Sequence, residues 1–377
     1  MPPAARLSAY FGAYFLYVGA FVPYFALYLA ARGFGAAEIA AVMAMPQLAR
    51  VVAPSFWGWL ADRTGATRVI VSGSALALLA GYALIGAVEG AVAIAAVMLV
   101  MSFLAAGALP LVEALTLASL EGRPGAYGPI RLWGSVGFIA GVLATGLWLD
   151  AHAPQSLLGV LIVLLVLALA ASLALPRARA QQTAETTATR LADILRRPEV
   201  RAFLAASFCM SAAHGALYGF FSLHAEALGY SKSAIGALWT LGVLAEIGVF
   251  LAWPQLARRW SLRTLLVVSF LCAAARFVAI GWGAQLLALL VAAQLLHAAT
   301  FGVHHAASVA AVHRLFAGRL QATGQTLYSS LAYGLGGGAG LLAAGWSWEA
   351  LGPAWSFSVA SAFALAGAAL VTWRVRV

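Results

Sequence analysis

Long apolar runs separated by short polar segments make up almost the whole chain. A hydrocarbon core about 30 Å thick is crossed by about 20 apolar residues in a helix. Twelve runs of this kind occur, with approximate limits 8–31, 37–60, 67–88, 91–119, 130–149, 156–175, 202–225, 233–256, 263–282, 285–312, 321–346 and 351–373. Backbone groups in lipid must be satisfied internally, and the alternating segments of a β-barrel do not occur, so the pattern predicts twelve transmembrane helices.

Only one polar segment is long. Residues 176–201, PRARAQQTAETTATRLADILRRPEVR, carry six arginines and three acidic residues between the sixth and seventh runs. This position divides the chain into an N-terminal six-helix bundle at 1–175, a cytoplasmic linker at 176–201 and a C-terminal six-helix bundle at 202–377. The predicted fold class is an all-α membrane protein with two bundles related by a pseudo-twofold axis.

Composition supports this interpretation and excludes the other broad classes. Hydrophobic residues make up 63% of the chain and charged residues 9%, whereas soluble domains have about 25% charged residues. Soluble, disordered and coiled-coil classes are therefore excluded. The two cysteines, Cys209 and Cys272, lie inside apolar runs, which indicates small buried side chains and neither a disulfide nor a metal pair.

The net charge of +10 reflects membrane topology. If both termini are cytoplasmic, eighteen of the 22 Lys and Arg residues lie in cytoplasmic segments, among them Arg6, Arg123, Arg258, Arg319 and Arg376. This asymmetry follows the positive-inside rule. We therefore expect the cell (cytoplasmic) membrane as the location, the lipid bilayer as a partner, and no nucleic-acid partner.

The two halves of the chain resemble each other at a shift of 196 residues. The aligned pairs include Gly19 and Gly215, Gly33 and Gly229, Trp57 and Trp253, Arg63 and Arg259, and Arg50 and Glu246. Many transporters build two bundles around a midplane site from such repeats. A charge that faces lipid costs about 2.5–3.5 kcal/mol, so we expect Arg50 and Glu246 to form a direct pair or two walls of one cavity.

A charged loop motif follows the second run. In GWLADRTGATR, Gly58, Asp62, Arg63, Gly65 and Arg68 have the spacing G-x-x-x-D-R-x-G-x-x-R. The glycines allow a tight turn, and the charged side chains can hold the cytoplasmic ends of neighbouring helices together. The motif resembles the loop signature of the major facilitator superfamily, and the resemblance implies a gating loop in a transporter.

Three other segments resemble the 3-phenylpropionate transporter family: YGPIRLWGSVGF in the fifth run, HGALYGFFSLHAEALGYSKSAIGALWTLGVLAEIGVF in the seventh and eighth, and LLHAATFGVHHAA in the tenth. That family is similar to the lactose permease group of proton symporters. The resemblance implies that Glu113 and Arg131 are a substrate-binding pair with Phe138 as the aromatic on which the substrate stacks. It also implies a proton-coupling network, whose members are Glu246, Arg276 and His297. At Thr300 the permease has a proton-carrying carboxylate, so coupling through that position is not implied.

Ionisable residues are rare inside the predicted spans, and each is a candidate for function. Arg50 can clamp a carboxylate or bind a substrate anion in a bidentate fork. Glu246 is either its static partner or a proton carrier, because burial favours the protonated acid. Arg131 is close to the cytoplasmic end, so its pairing with Glu113 is either structural or ligand-binding. Arg276 is expected to neutralise Glu246 or to interact with a histidine.

Three histidines of the tenth run and one of the seventh complete this set. His297 and His304 are seven residues apart and share one face of an ideal α-helix, whereas His305 points about 80° away. We expect His297 and His304 to belong to one hydrogen-bond network or proton relay. No carboxylate or cysteine lies at ligand spacing, so no metal is expected. His214 is either a cavity residue or a satisfied core histidine.

These patterns favour a secondary transporter. No nucleophile or zinc motif indicates an enzyme and no P-loop indicates ATP-driven transport, while a receptor would have little use for midplane charges in both halves. We predict a proton-coupled importer that works by alternating access, as a monomer, with no cofactor except the proton gradient. The resemblance implies an aromatic carboxylate such as 3-phenylpropionate, and the alternative is a sugar or nucleoside. The expected substrate contacts are Arg50, Glu113, Arg131, Phe138, Tyr14, Tyr17, His214 and Tyr218, the tyrosines either stacking on the solute or packing in the core.

Overall fold

The computed structural model describes residues 2–120, 127–176, 191–316 and 318–376, and these residues form helices and no strands. Arg123, residues 177–190 of the predicted linker and the side chain of Arg319 lie outside the described part. The helices are α1 Pro3–Ala31, α2 Ala36–Ala49, α3 Ala53–Thr64, α4 Thr67–Ala87, α5 Ala91–Ala105, α6 Ala108–Ser119, α7 Tyr127–Ala151, α8 Leu157–Leu173, α9 Leu191–Leu195, α10 Pro198–Ala227, α11 Lys232–Arg259, α12 Leu262–Gly283, α13 Leu287–Leu295, α14 His304–Leu315, α15 Gln321–Ser329, α16 Gly337–Leu351 and α17 Pro353–Arg374. Two π-helices join them, π1 at Ala298–Val303 and π2 at Ser330–Gly336.

The helices match the predicted spans. In the described residues, eleven helical segments are long and apolar enough to cross a membrane. The remaining predicted run, the eleventh at 321–346, is the series α15, π2 and α16. The predicted all-α membrane fold is therefore confirmed.

In the described part of the chain, the second and fourth spans are each interrupted between two α-helices, and a proline explains each break. A proline at position i cannot donate to the carbonyl of residue i−4 and clashes with it. Pro54 and Pro110 therefore disrupt the helix at Arg50, between α2 and α3, and at Ala106, between α5 and α6. Pro46 lies inside α2 without ending it, and the break in this span follows Arg50.

The chain forms two compact units. Unit 1 comprises Met1–Phe34, Val52–Thr183 and Ser231–Ala237, and unit 2 comprises Gly35–Val51, Ala184–Tyr230 and Leu238–Val377. Each unit thus takes a short segment from the other half of the sequence. The two exchanged segments begin at residues 35 and 231, which are equivalent positions of the repeat. The sequence-based domain limits at 175 and 202 remain a prediction.

A carboxylate caps the helix that begins in each exchanged segment. In unit 1, Asp150 accepts hydrogen bonds from the backbone nitrogens of Lys232, at 2.7 Å, and Ser233, at 3.2 Å. In unit 2, Glu349 accepts one from the backbone nitrogen of Ala37 at 2.9 Å. The first backbone N–H groups of a helix lack intrahelical partners and carry its positive dipole end. The two carboxylates therefore stabilise the starts of α11 and α2.

Glycines allow the closest helix contacts within each unit. A Cβ atom on Gly19 of α1 would lie 3.0 Å from the backbone nitrogen of Val142 in α7. A Cβ atom on Gly215 of α10 would lie 2.6 Å from the carbonyl oxygen of Gly340 in α16. Gly19 and Gly215 are an aligned pair of the repeat. The repeat thus preserves one close helix crossing in each unit, as small residues do in membrane proteins.

Alanine at either glycine is expected to destabilise the protein. Gly19→Ala and Gly215→Ala each force a methyl group against backbone, at a cost of about 1–3 kcal/mol, and should lower the thermal unfolding temperature of the detergent-purified protein. The control is Gly73→Ala in α4, where a Cβ atom meets nothing within 4 Å. It should match or exceed the native stability, because alanine is the better helix former. Equal unfolding temperatures for all three variants would contradict this explanation of the crossings.

Candidate substrate and proton site

The centre of the site in unit 2 is a fully buried guanidinium. Arg276 of α12 has 0% exposed surface. Its Nε donates to the carbonyl oxygen of Ala293 at 2.8 Å, and Nη2 donates to Oε1 of Gln294 at 3.0 Å. Its Nη1 lies 3.1 Å from both Nδ1 of His297 and Oγ1 of Thr300. All four acceptors are neutral, and all come from one stretch of α13 and π1.

The contact with Arg276 determines which nitrogen of His297 carries the proton. A guanidinium can only donate, so Nδ1 of His297 accepts and the imidazole proton is on Nε2. That nitrogen lies 3.6 Å from Oε2 of Glu246 on α11. A second proton on Nδ1 would break the bond with Arg276 and place two cations in contact. His297 is therefore neutral in this arrangement, and Glu246 is the neighbouring group that can change its charge.

Thr300 is the position at which the resemblance to the lactose permease group implies a carboxylate. Here its hydroxyl accepts from Arg276 at 3.1 Å and is 0% exposed. Threonine satisfies one donor of the guanidinium but carries no charge and takes up no proton. The protein thus has a neutral acceptor where the resemblance implies an acid.

Tyr218 of α10 lies among the charged residues of unit 2. Its ring lies 6.1 Å from that of His214. The charges of Glu246, Arg276 and Arg50 all act on its phenol group. Arg50 itself is exposed, at the C-terminal end of α2. The two oppositely charged residues that the repeat aligns therefore belong to the surroundings of one tyrosine.

His214 is buried and only half satisfied. It is 4% exposed, and its Nδ1 lies 2.9 Å from the carbonyl oxygen of Met210, so Nδ1 carries the proton. Among the described residues, its Nε2 has no hydrogen-bond partner. The ring lies 5.3 Å from that of Phe277 and 6.4 Å from that of His297. His214 therefore borders the network around Arg276.

The π-helix in the tenth span changes which histidines share a face. The ring of His297 stacks on Phe301 at 5.3 Å and 16°, and Phe301 stacks on His305 at 6.1 Å and 8°. His304 lies edge-on to Phe270 at 5.3 Å instead. A π-helix has more residues per turn than an α-helix, so the side chain eight residues after His297 takes the place expected for the one seven residues after it. The face that an ideal α-helix gives to His304 is thus taken by His305, and the predicted role of His304 in the proton relay stays a prediction.

Glu113 and Arg131 meet in unit 1, as the sequence indicates. Nε of Arg131 lies 3.8 Å from Oε1 of Glu113, and the side chains are 32% and 37% exposed. The guanidinium also lies 4.4 Å from the ring centroid of Phe15 and 5.5 Å from that of Phe11. An ion pair this exposed adds little stability, so cation–π contacts with α1 fix the position of Arg131. Phe138, half-buried on the same helix α7, stays a candidate for substrate stacking.

Tyr17 is part of the core of unit 1. It is 6% exposed, its hydroxyl lies 2.8 Å from that of Tyr82, and its ring packs on Phe21 at 6.1 Å. These contacts favour the packing alternative, and the substrate role of Tyr17 stays a prediction. Tyr14 is half-buried and stacks on Tyr10 at 5.9 Å, and its substrate role stays a prediction.

The loop motif after α3 forms the expected turn. Gly65 ends the helix with φ of 65°, a left-handed conformation in which glycine is favoured. Arg63 lies 5.6 Å from the ring centroid of a tryptophan in its own helix. In the described part of the chain, no hydrogen bond or ion pair joins Asp62 or Arg68 to another helix. The gating role of these residues and of Gly58 stays a prediction.

Three site residues escaped the sequence analysis: Gln294, Trp239 and Tyr333. Trp239 stacks on Tyr218 at 5.9 Å, and Tyr333 lies 2.9 Å from Nδ1 of His305. All three are uncharged, so a search for ionisable residues passes over them. Gln294 has a signal, since it is the residue one helical turn before His297 and so shares its face.

The chain is similar in sequence to one protein family and to two transporters with names. The chain matches the profile of the MFS_1 like family over residues 5–359. It is 32% identical over 332 residues to the probable 3-phenylpropionic acid transporter of Escherichia coli, with 85% of each chain covered. It is 29% identical over 340 residues to the maltose permease of Geobacillus stearothermophilus, covering 88% of this chain and 85% of that one.

Solved structures agree on the fold. The crystal structure of the nucleoside transporter NupG matches with a TM-score of 0.87 and 17% identity, over 99% of this chain and 98% of that one. The structure of a human organic anion transporter matches with a TM-score of 0.63 and 18% identity, over 98% and 100%. At these identities the likeness concerns the fold alone.

Loss of one hydrogen-bond acceptor of the buried Arg276 guanidinium should lower the stability of the protein. Gln294→Leu leaves Nη2 of Arg276 without its partner, and an unsatisfied buried donor costs about 1–3 kcal/mol. The thermal unfolding temperature should fall clearly. The control is Gln285→Leu, the same substitution at an exposed position between α12 and α13, which should leave it almost unchanged. A Gln294→Leu protein as stable as the control would show that Arg276 does not depend on this acceptor.

Proposed function

The chain belongs to the MFS_1 like family and is a multi-pass membrane transporter of the major facilitator type, and on that premise we propose that it is a proton-coupled symporter and not an enzyme. It imports a small aromatic carboxylate, such as 3-phenylpropionate, by alternating access. The proposal includes the cytoplasmic membrane as location, both termini in the cytoplasm, a functional monomer and the proton gradient as the energy source.

The observation that carries the proposal is the contact of Glu246 with a histidine that cannot itself take up the proton. Nε2 of His297 lies 3.6 Å from Oε2 of Glu246, and Nδ1 is occupied by Arg276. A proton that enters this site is therefore taken up by the carboxylate. The side chain of Glu246 is 17% exposed, so it is largely out of water and still reachable.

Charge balance explains how proton and substrate are coupled. Arg50 and Arg276 contribute two positive charges around Tyr218, and ionised Glu246 contributes one negative charge. Protonation of Glu246 leaves both positive charges without that counterion, which favours the entry of an anion. Binding of the anion in turn favours the protonated acid, because coupling between two ligands is reciprocal. An anionic substrate and a proton are thus taken up together.

Arg50 is the group that we propose to hold the substrate carboxylate. It is exposed at a helix break, and discontinuous helices are a recurrent place for substrate sites in transporters. A guanidinium matches the geometry of a carboxylate with two parallel hydrogen bonds. The similarity to a probable 3-phenylpropionic acid transporter supports the aromatic acid as substrate.

A sugar is the second candidate, and one specific contact favours it. Glu113 and Arg131 form a half-exposed pair beside α1, and Phe138 lies two turns further along α7. A carboxylate, a guanidinium and an aromatic ring can bind the hydroxyl groups and the apolar face of a sugar. The similarity to a maltose permease supports this alternative.

Uptake measurements separate the two substrates. Proteoliposomes that contain the purified protein should accumulate labelled 3-phenylpropionate when the outside is made acidic, and should not accumulate labelled maltose. When the pH gradient is abolished, labelled 3-phenylpropionate should only reach equal concentrations on the two sides of the membrane. Accumulation of maltose without uptake of the acid would contradict the proposed substrate and favour the sugar.

Removing the carboxylate of Glu246 should separate exchange from accumulation. Glu246→Gln mimics the protonated acid permanently, so counterflow of 3-phenylpropionate should persist while uphill uptake is lost. Glu89→Gln, at an exposed position between α4 and α5, should keep both activities. Uphill uptake by Glu246→Gln at the native rate would overturn the proton role of this residue.

Removing the positive charge of Arg50 tests whether this residue binds the substrate carboxylate. Arg50→Gln should weaken binding of 3-phenylpropionate by at least about tenfold, since a hydrogen bond to a charged group contributes about 1.5–3 kcal/mol. Arg258→Gln, an exposed arginine near the end of α11, serves as the control and should bind as the native protein does. Unchanged affinity in Arg50→Gln would rule out its role as the carboxylate anchor.

A further inference from the structure

Two irregular segments of unit 2 pack directly on each other. The carbonyl oxygen of Val51, the residue after Arg50, accepts a hydrogen bond from Oγ of Ser330 at 2.9 Å. A Cβ atom on Gly334 would lie 2.8 Å from Cγ2 of Val51 and 3.3 Å from its nitrogen. Ser330 and Gly334 both belong to π2. The end of α2 is therefore held in a fixed position on π2, and Arg50 with it.

Tyr333 lies in the same π-helix, between these two contacts. It is half-buried, and the charge of Arg50 acts on its phenol group. Its hydroxyl lies 2.9 Å from Nδ1 of His305 and 3.3 Å from the hydroxyl of Tyr328. π-helical turns are frequent at functional sites, and here one such turn carries Tyr333 between Ser330 and Gly334, the two residues that contact Val51, the residue after Arg50.

The hydrogen-bond partners of Tyr333 include one arrangement in which its own proton is available to a further acceptor. A tyrosine hydroxyl donates one hydrogen bond and accepts up to two. Either hydroxyl can be the donor of the contact between Tyr328 and Tyr333, and His305 donates from Nδ1 in one of its two tautomers. In the arrangement in which both neighbours donate, they fill both acceptor positions of Tyr333. The proton of Tyr333 is then free to be donated to a third group. An anion held by Arg50 is the acceptor that this geometry suits, because a donor and a cation on one side complement a carboxylate.

We propose that Tyr333 is a second donor to the substrate carboxylate beside Arg50, and that His305 is the positioning residue that orients its hydroxyl. The inference rests on the proposed function, since it assumes a carboxylate at Arg50. It adds a specificity-determining contact: the site recognises the charged end of the solute through two side chains from different helices. Neutral solutes of the same shape gain little from this arrangement.

Binding of an acid and of its neutral amide tests the proposal. Affinities of the purified full chain for 3-phenylpropionate and 3-phenylpropionamide are measured by calorimetry. Tyr333→Phe should weaken binding of the acid about tenfold, the loss of one charge-assisted hydrogen bond, and change binding of the amide by less than about threefold. Tyr82→Phe is the matched control, because it removes the same atom from a tyrosine pair in unit 1, and it should alter neither affinity.

Two substitutions of His305 test the positioning role. His305→Leu should weaken acid binding as much as Tyr333→Phe does, because the hydroxyl loses its donor. His305→Asn places an amide N–H close to the position of Nδ1 and should restore affinity to within about threefold of native. If Asn and Leu weaken binding equally, the positioning role is overturned.

The outcomes separate the inference from the function on which it rests. Native protein that binds neither compound would overturn both the aromatic-acid function and this inference. Native protein that binds the acid, with Tyr333→Phe binding it equally well, would overturn the inference alone. An equal loss for acid and amide would also overturn it, because a contact to the carboxylate must distinguish the two.

Discussion

A guanidinium group enclosed within a membrane-spanning unit has five N–H donors and no water to satisfy them. Arg276 satisfies four of these donors with neutral acceptors from the stretch Ala293–Thr300. The need to satisfy the guanidinium determines which face of the tenth span packs against α12. It also fixes the tautomer of His297, and through it the group that faces Glu246. The rest of the site in unit 2 follows from where this one cation lies.

For function, the consequence is that some groups of the site keep a constant charge while one group changes its charge. The arginines stay positive, and His297 stays neutral because its second nitrogen is occupied. In the proposed function, Glu246 is the group of this network that alternates between charged and neutral forms. A transporter that must couple an anion to a proton needs this arrangement, since the state of one carboxylate then decides how strongly the site attracts the solute.

Much of the fold could be read from the sequence, because lipid imposes a simple rule on apolar length. The spans, the aligned glycines of the two helix crossings and the contact between Glu113 and Arg131 were all predictable. The site was predictable in part. Resemblance indicated the residues around Arg276, yet the interchange of His304 and His305 depends on a π-helix, and the sequence carries no periodic signal for one additional residue in a turn.

The break in the second span is another feature that the sequence alone does not predict. Pro54 and Pro46 look alike in the sequence, but only the former disrupts the chain, at the residue one turn earlier. Tyr333 was overlooked for another reason: aromatic residues are common in membrane spans, and its neighbours come from distant parts of the chain. Residues that act through charge stand out in an apolar sequence, whereas residues that act through a single hydroxyl do not.

The protonation state of His297 is the most direct test of this account. Nitrogen NMR of the protein labelled at its histidine side chains, with the His297 signal assigned by its absence in His297→Gln, reports which ring nitrogen carries hydrogen. The account predicts a neutral ring with the proton on Nε2 at neutral pH, and the same form after the solution is made mildly acidic. An imidazolium, or a proton on Nδ1, would contradict it, because neither form can accept a hydrogen bond from Arg276.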